Sequence, residues 1–204
     1  MLFDDRYRTI SEPIEGIFRD KGSKFIAYAY PIRNEEQVKE YISALKSKHT
    51  KARHHCWAFR LSPDKSVYRI NDDGEPSGTA GRPILNTILS NDLTNILVVV
   101  VRYFGGTLLG VPGLINAYKM ATTNALSSAQ IIELTINDIY SVSFDYLQMN
   151  EIMKITKDYS LKILNQSFGN SCNIELEIPK AQLDMVLSKL EKSQQIKLTY
   201  VRTI

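Results

Sequence analysis

The sequence predicts a mixed α+β chain in two parts, residues 1–133 and residues 134–204. Three observations carry that reading. The C-terminal third has short runs that alternate apolar and polar residues, the mark of half-buried strands. Between them lie runs with apolar residues at helical spacing. The N-terminal part holds a wholly aliphatic run, "ILVVVV" (96–101), which reads as a central strand buried on both faces.

Taken in order, "FIAYAYPI" (25–32) reads as a strand. "NEEQVKEYISALKSKH" (34–49) reads as a helix capped by Asn34, with Glu35 and Glu36 in its first turn and Val38, Ile42 and Leu45 along one stripe. "HHCWAFRL" (54–61) alternates as a half-buried strand, and "SVYRI" (66–70) pairs back on it after a Pro-Asp turn. "GRPILNTILSN" (81–91) is a helix with Pro83 near its start. "NILVVVVRYF" (95–104) is the central strand, "GGTLLGVPG" (105–113) a glycine loop, and "LINAYKMATTNALSSAQI" (114–131) a long helix rich in small residues.

Beyond a boundary near Leu134 the pattern is regular. A strand over 139–146 precedes a helix over 148–159, with Asn150 a candidate cap. Strands over 161–166 and 172–179 flank the turn "SFGNS". A helix over 181–193 places Leu183, Val186, Leu187 and Leu190 on one face, and a strand over 196–201 closes the chain. The order β-α-β-β-α-β is the ferredoxin-like pattern.

The 204 residues are 44% hydrophobic and 23% charged, enough apolar content for a sizeable core. The net charge of +3 is small, but its distribution is uneven. Residues 134–204 hold 8 Lys and Arg against 8 Asp and Glu. Between Glu40 and Asp64 there is no acid, while Lys46, Lys48, Lys51, Arg53 and Arg60 and all three histidines fall in that interval. Cys56 and Cys172 stand far apart, which suits a reducing compartment and neither a disulfide framework nor a cysteine zinc site. The start "MLFDDRYRTI" lacks the plan of a signal peptide, and the aliphatic run falls far short of the roughly 20 residues of a membrane helix. The expectation is a cytoplasmic protein with no membrane partner.

Three stretches bear chemistry. "NDDGEPSGTAGRP" (71–83) sets Asp72, Asp73 and Glu75 beside Ser77 and Thr79. It reads as a turn with Ser77 or Thr79 capping the next helix. It also reads as a hard-oxygen cation site, as a nucleophile Ser77 with His54 or His55 as base and Asp72 as orienter, or as free backbone N–H groups facing phosphate with Arg82 assisting. "RYFGGTLLGVPGL" (102–114) runs from strand through glycines to helix, a geometry that lets backbone approach an anion. Neither the P-loop nor the dinucleotide fingerprint is present, so no cofactor is expected. Arg102, closing a buried strand opposite Val101 and Tyr103, needs a partner, for which Asp72, Asp73, Glu75 or a phosphate are candidates. "KSKHTKARHHCWAF" (46–59) offers cations for phosphates and His54, His55, Trp57 and Phe59 for bases. His54 and His55 point to opposite strand faces and do not share one metal ion.

"GSKFIAYA", "ARHHCWAF", "NDDGEPSGTAGRPIL" and "VVVRYFGGTLLG", in this order, resemble the IMPACT/YigZ family over residues 16–133, and the C-terminal pattern resembles the second domain of its bacterial members. The resemblance implies an N-terminal α+β sandwich like domain two of ribosomal protein S five, a fold shared with domain four of elongation factor G. It implies a link to translation. Eukaryotic members bind a ribosome-associated co-activator and restrain a stress kinase, a pathway that is not carried over to this chain. Leu108, Pro112 and Asn116 depart from the family pattern, where lysine, glycine and arginine are common. Two positive charges are thus missing beside the glycine loop.

The sequence therefore predicts a translation-associated, non-catalytic protein that binds RNA or the ribosome. The expected RNA- or phosphate-contacting residues are Lys51, Arg53, His54, His55, Arg82, Arg102, Gly105 and Gly106, beside a motif surface of Asp72, Asp73, Glu75, Ser77 and Thr79. Arg102→Ala and Arg82→Ala are expected to abolish binding and leave the fold intact. Two further readings are an enzyme acting on a phosphorylated small molecule or nucleotide through 71–83 and 102–113, and an adaptor that binds a protein through the exposed sheet of the C-terminal unit.

Overall fold

The computed structural model describes residues 5–62, 64–169, 171–192 and 196–204. The chain packs as two units, Tyr7–Leu134 and Thr135–Ile204 with the residues before Tyr7.

In the first unit the chain runs β1 (Arg6–Ile10), β2 (Ile14–Asp20), β3 (Ser23–Pro31), α1 (Glu35–Lys48), β4 (His54–Leu61), β5 (Val67–Asn71), α2 (Gly81–Ser90), β6 (Ile96–Tyr103), α3 (Gly110–Ser127) and β7 (Ile131–Thr135). One five-stranded sheet has the order β2-β3-β6-β4-β5, and β1 pairs with β7 in a separate ribbon. Neighbours in the large sheet are antiparallel. Both faces of β6 are covered. Val98 and Val100 pack with Ile84 and Ile88 of α2 and Ala117, Tyr118 and Ala121 of α3. Leu97, Val99 and Val101 pack with Val38 and Leu45 of α1. That is why β6 is a continuous apolar run and not an alternating one. The α+β expectation holds, in three layers.

Asn34 caps α1 as expected, its Oδ1 accepting from the Gln37 N–H at 3.0 Å. Three strands were not legible in the sequence. β2 contains Gly16, which weakens a strand signal. The reason for it is tertiary: a Cβ there would overlap the Ala125 backbone of α3. The long helix begins at Gly110, four positions earlier than expected, and takes in Pro112. A first helical turn tolerates proline because its N–H groups have no intrahelical acceptor. The helix ends at Ser127, and β7 begins at Ile131, the last residue of the stretch expected to be helical.

The second unit runs β8 (Asn137–Phe144), α4 (Met149–Asp158), β9 (Lys162–Phe168), β10 (Cys172–Pro179), α5 (Leu183–Glu191) and β11 (Lys197–Thr203). Its sheet order β11-β8-β10-β9 is the ferredoxin-like arrangement. Ile174, Leu176 and Ile178 of β10 point with Val142 and Phe144 of β8 into one core against Ile152, Val186 and Leu190 of the helices. The expected cap Asn150 lies inside α4. Asp145 starts the preceding turn instead, its backbone N–H donating to Gln148 Oε1 at 2.9 Å. Pro63 of the first hairpin, Asn170 of the "SFGNS" turn and Ser193 at the expected helix end lie outside the described residues. Among the described residues, no helix is long and apolar enough to cross a membrane.

Candidate functional site

The acidic-glycine stretch links β5 to α2 and lies against the ends of β4 and β6. Pairing sets His54 directly opposite Arg102, with Arg102 also opposite Phe25. These side chains share the sheet face that α2 and α3 cover, since side chains alternate along a strand.

Arg102 is 5% exposed. Its Nη1 donates to Glu75 Oε1 at 2.6 Å, and its guanidinium lies 5.4 Å from the Phe25 ring centre and 5.5 Å from that of Phe104. Tyr118 OH donates to the same Glu75 oxygen at 2.7 Å. Of the partners the sequence offered, Glu75 is the one that binds Arg102. The expectation that Arg102 meets phosphate is corrected: a polynucleotide has no access to a guanidinium packed between two rings and bound to a buried carboxylate.

Asp72 has a different task. Its Oδ1 accepts from the N–H groups of Ala80 (3.1 Å) and Gly81 (2.8 Å), and its Oδ2 from Gly78 (2.9 Å). The chain's own carboxylate thus occupies the positive end of α2, where the sequence offered backbone donors to phosphate. Ser77 and Thr79 do not cap the helix. Ser77 is exposed, and Thr79 Oγ1 donates to the Pro76 carbonyl at 2.7 Å.

Asp73 takes the left-handed backbone conformation (φ 42°), which aspartate tolerates in turns. Its Oδ2 accepts from the His55 N–H at 2.7 Å. Its carbonyl accepts from His54 Nδ1 at 2.8 Å, which leaves His54 Nε2 4.0 Å from Glu75 Oε1. The three carboxylates therefore diverge onto different partners. Asp72 does not orient a histidine, and the Ser77-His54-Asp72 alignment does not form. Burial pushes the Cys56 thiol up, and it donates to the Asp72 carbonyl at 3.0 Å. Glu75 is held at Oε1 by Arg102 and Tyr118 together, which ties it to the fold.

His54 and His55 face opposite sides of the sheet, as alternation requires. His55 is buried on the α1 side, which removes it from the expected phosphate-binding set. His49 sits in the same layer, Nε2 2.9 Å from Tyr28 OH and Nδ1 2.8 Å from Tyr103 OH. Burial, then Lys48 and Lys24, push His49 below its ordinary value of 6.5, and burial also lowers His55 against the opposing pull of Asp73. A folded-state pKa below the unfolded one means that the unfolded chain binds more protons. The stabilisation is present above the unfolded value and is lost as pH falls below about 6.5. We expect the urea midpoint to drop steadily from neutral pH to below pH 6; a midpoint that rises over that interval overturns the assignment.

Gly105 and Gly106 have structural causes. A Cβ on Gly105 would overlap the backbone of Gly22 and Ser23, and its N–H donates to Ser23 Oγ at 3.1 Å. Gly106 needs its positive φ of 87°. The loop shows Leu108, 82% exposed, where a cation is common.

Lys51, Arg53 and Arg82 are exposed. Lys51 and Arg53 follow a groove of about 650 Å³ along α1. Lys39, Ile42, Ser43, Lys46 and Ser47 of α1 and Thr50 just beyond it line one side, and Trp57 of β4 the other. The sequence named Trp57 and Lys46 but not Lys39, Ser43 or Ser47. The i, i+4, i+7, i+8 spacing of those residues was the available signal.

A sequence model of the Impact N-terminal domain matches residues 21–126. The chain is 34% identical over 176 residues to an IMPACT family member of Haemophilus influenzae, covering 85% of each. It is 31% identical over 180 residues to IMPACT family member YigZ of Escherichia coli, covering 87% of this chain and 88% of that one. A crystal structure of a hypothetical protein matches 98% of this chain and 99% of its own, with a TM-score of 0.73 at 27% identity. Motif, fold and whole-chain similarity agree, and the chain belongs to the IMPACT family.

Proposed function

We propose that this protein is a translation-associated factor that binds RNA, free or in the ribosome, through the exposed cations at the end of α1 and the turn into β4. The observation that supports the reading is the acid-free segment 41–63, whose Lys46, Lys48, Lys51 and Arg53 all reach solvent. Lys46 and Lys48 also stand in the last turn of α1, where a cation complements the helix dipole. Phosphate neutralisation by such residues is sequence-tolerant and steeply salt-dependent. Family membership supports the link to translation, through the role that the resemblance assigns to eukaryotic members. Arg82 is a further exposed cation, at the start of α2, the helix that packs on the other face of the sheet from α1.

Co-sedimentation with ribosomes and with bulk RNA across a salt series tests the reading. The double substitution Lys51→Glu/Arg53→Glu is expected to weaken binding at least tenfold. It should also flatten the dependence of log affinity on log salt by about two, one for each phosphate that is no longer neutralised. Unchanged sedimentation of the double variant, or no sedimentation of the parent chain at low salt, overturns it.

A further inference from the structure

The groove beside Trp57 carries a narrower conclusion, which rests on the RNA-binding reading above. Trp57 is half-buried, and its ring stacks on Phe59 with centres 5.8 Å apart and planes 10° from parallel. Phe59 is 2% exposed, so the core fixes the plane of the indole. Trp57 nonetheless lines the groove, so part of its ring surface remains open. An ordered aromatic face loses little conformational entropy when a second ring lies on it.

Across the groove, α1 and the turn that follows it offer two kinds of group. Lys39 and Lys46 are ammonium donors about two helical turns apart. Ser43, Ser47 and Thr50 are hydroxyls that both donate and accept. Lys46 is 3.6 Å from Asp73 Oδ1, but its side chain is 53% exposed, and a solvent-facing pair of this kind is weak enough to yield to a phosphate. Cations for phosphate, hydroxyls for base edges or the ribose 2′-OH, and one held aromatic face are the parts that bind an unstacked nucleotide. A duplex does not use them together, because its bases are stacked on one another and their faces are closed.

We infer that the α1–Trp57 groove takes single-stranded RNA, with one unpaired base stacked on the open face of Trp57 and the flanking phosphates on Lys39 and Lys46. Lys51 and Arg53, which follow Thr50 of the groove in the chain, then track the backbone without reading it. The ligand class is an unpaired loop or end of an RNA, not a helix.

The chain's single tryptophan makes the test direct. A short fluorescein-labelled RNA is titrated into the full-length protein, once single-stranded and once annealed to its complement, at low salt. The single strand is expected to quench tryptophan emission and to bind more tightly than the duplex. Trp57→Leu is expected to lose roughly tenfold or more in affinity for the single strand, with its duplex binding unchanged. Trp57→Phe, which keeps an aromatic face, should retain most of the affinity, and far-UV circular dichroism checks that each variant folds. If Trp57→Leu disturbs the fold, Lys39→Ala/Lys46→Ala replaces it and should lose single-strand affinity. Equal binding of single strand and duplex with no change in emission overturns the inference, as does full affinity in these variants. If Lys51→Glu/Arg53→Glu still loses binding in that case, the RNA reading survives without the groove. If the parent chain binds neither RNA, the RNA reading itself fails and the groove assignment with it.

Discussion

Arg102→Ala is expected to destabilise the N-terminal unit by about 3–5 kcal/mol, because it strands a buried carboxylate. Glu75 is enclosed at the junction of β4, β6 and α3 and has one full charge opposite it, that of Arg102 at 2.6 Å. Tyr118 donates to the same oxygen but carries no charge, and burial pushes its phenol further up. His54 Nε2 at 4.0 Å is too far for a hydrogen bond. Removing the guanidinium also empties the space between Phe25 and Phe104. Urea unfolding should show a large fall in midpoint with little change in slope, the pattern of lost stability. The paired substitution Glu75→Gln/Arg102→Met should recover much of the loss, since replacing both partners by neutral groups of similar size removes the stranded charge. A stable Arg102→Ala that has lost only RNA binding would restore Arg102 to the phosphate-contacting set. The same measurement therefore decides between a residue that holds the fold and one that meets the ligand.

Gly105→Ala has the second large effect, about 3 kcal/mol, the upper end of what overpacking costs. Its added methyl meets main chain, the Gly22 carbonyl carbon and the Ser23 nitrogen, and main chain cannot rotate away as a flexible side chain does. The turn between β2 and β3 must move, and the Gly105 N–H to Ser23 Oγ bond moves with it. Gly106→Ala is the control. A Cβ there meets nothing within 4 Å, so only the left-handed backbone is penalised, by about 1–2 kcal/mol. Thermal or urea unfolding of the two variants should rank them in that order. Equal stability, with both variants folded like the parent and unable to bind RNA, would return the glycine loop to the role of an anion cradle.

These two residues show how the acidic-glycine motif and RYFGG belong together. The sequence already offers the acids of the first as partners for Arg102 of the second. In the structure the two motifs are two halves of one joint: Asp72 holds the start of α2, Asp73 holds β4, and Glu75 holds Arg102. Charged residues attract a functional reading because they are costly to bury. Here the cost of burying Glu75 and Arg102 is offset by partners far away in sequence, each other and Tyr118.

The sequence by itself determined the elements whose periodicity is strong: the capped stripe of α1, the aliphatic β6, the alternating β10 and the whole β-α-β-β-α-β order. It also determined that His54 and His55 part company, because strand alternation is a local rule. The acid-free basic segment was equally legible, since charge along a chain needs no fold to be read. Only the tertiary structure decided which acid Arg102 binds, why Gly16 stands inside a strand, and that α3 begins within the expected glycine loop. It alone set Trp57 across a groove from Lys39, Ser43 and Lys46. Each of these depends on residues brought together from distant parts of the chain, and no local pattern carries that information.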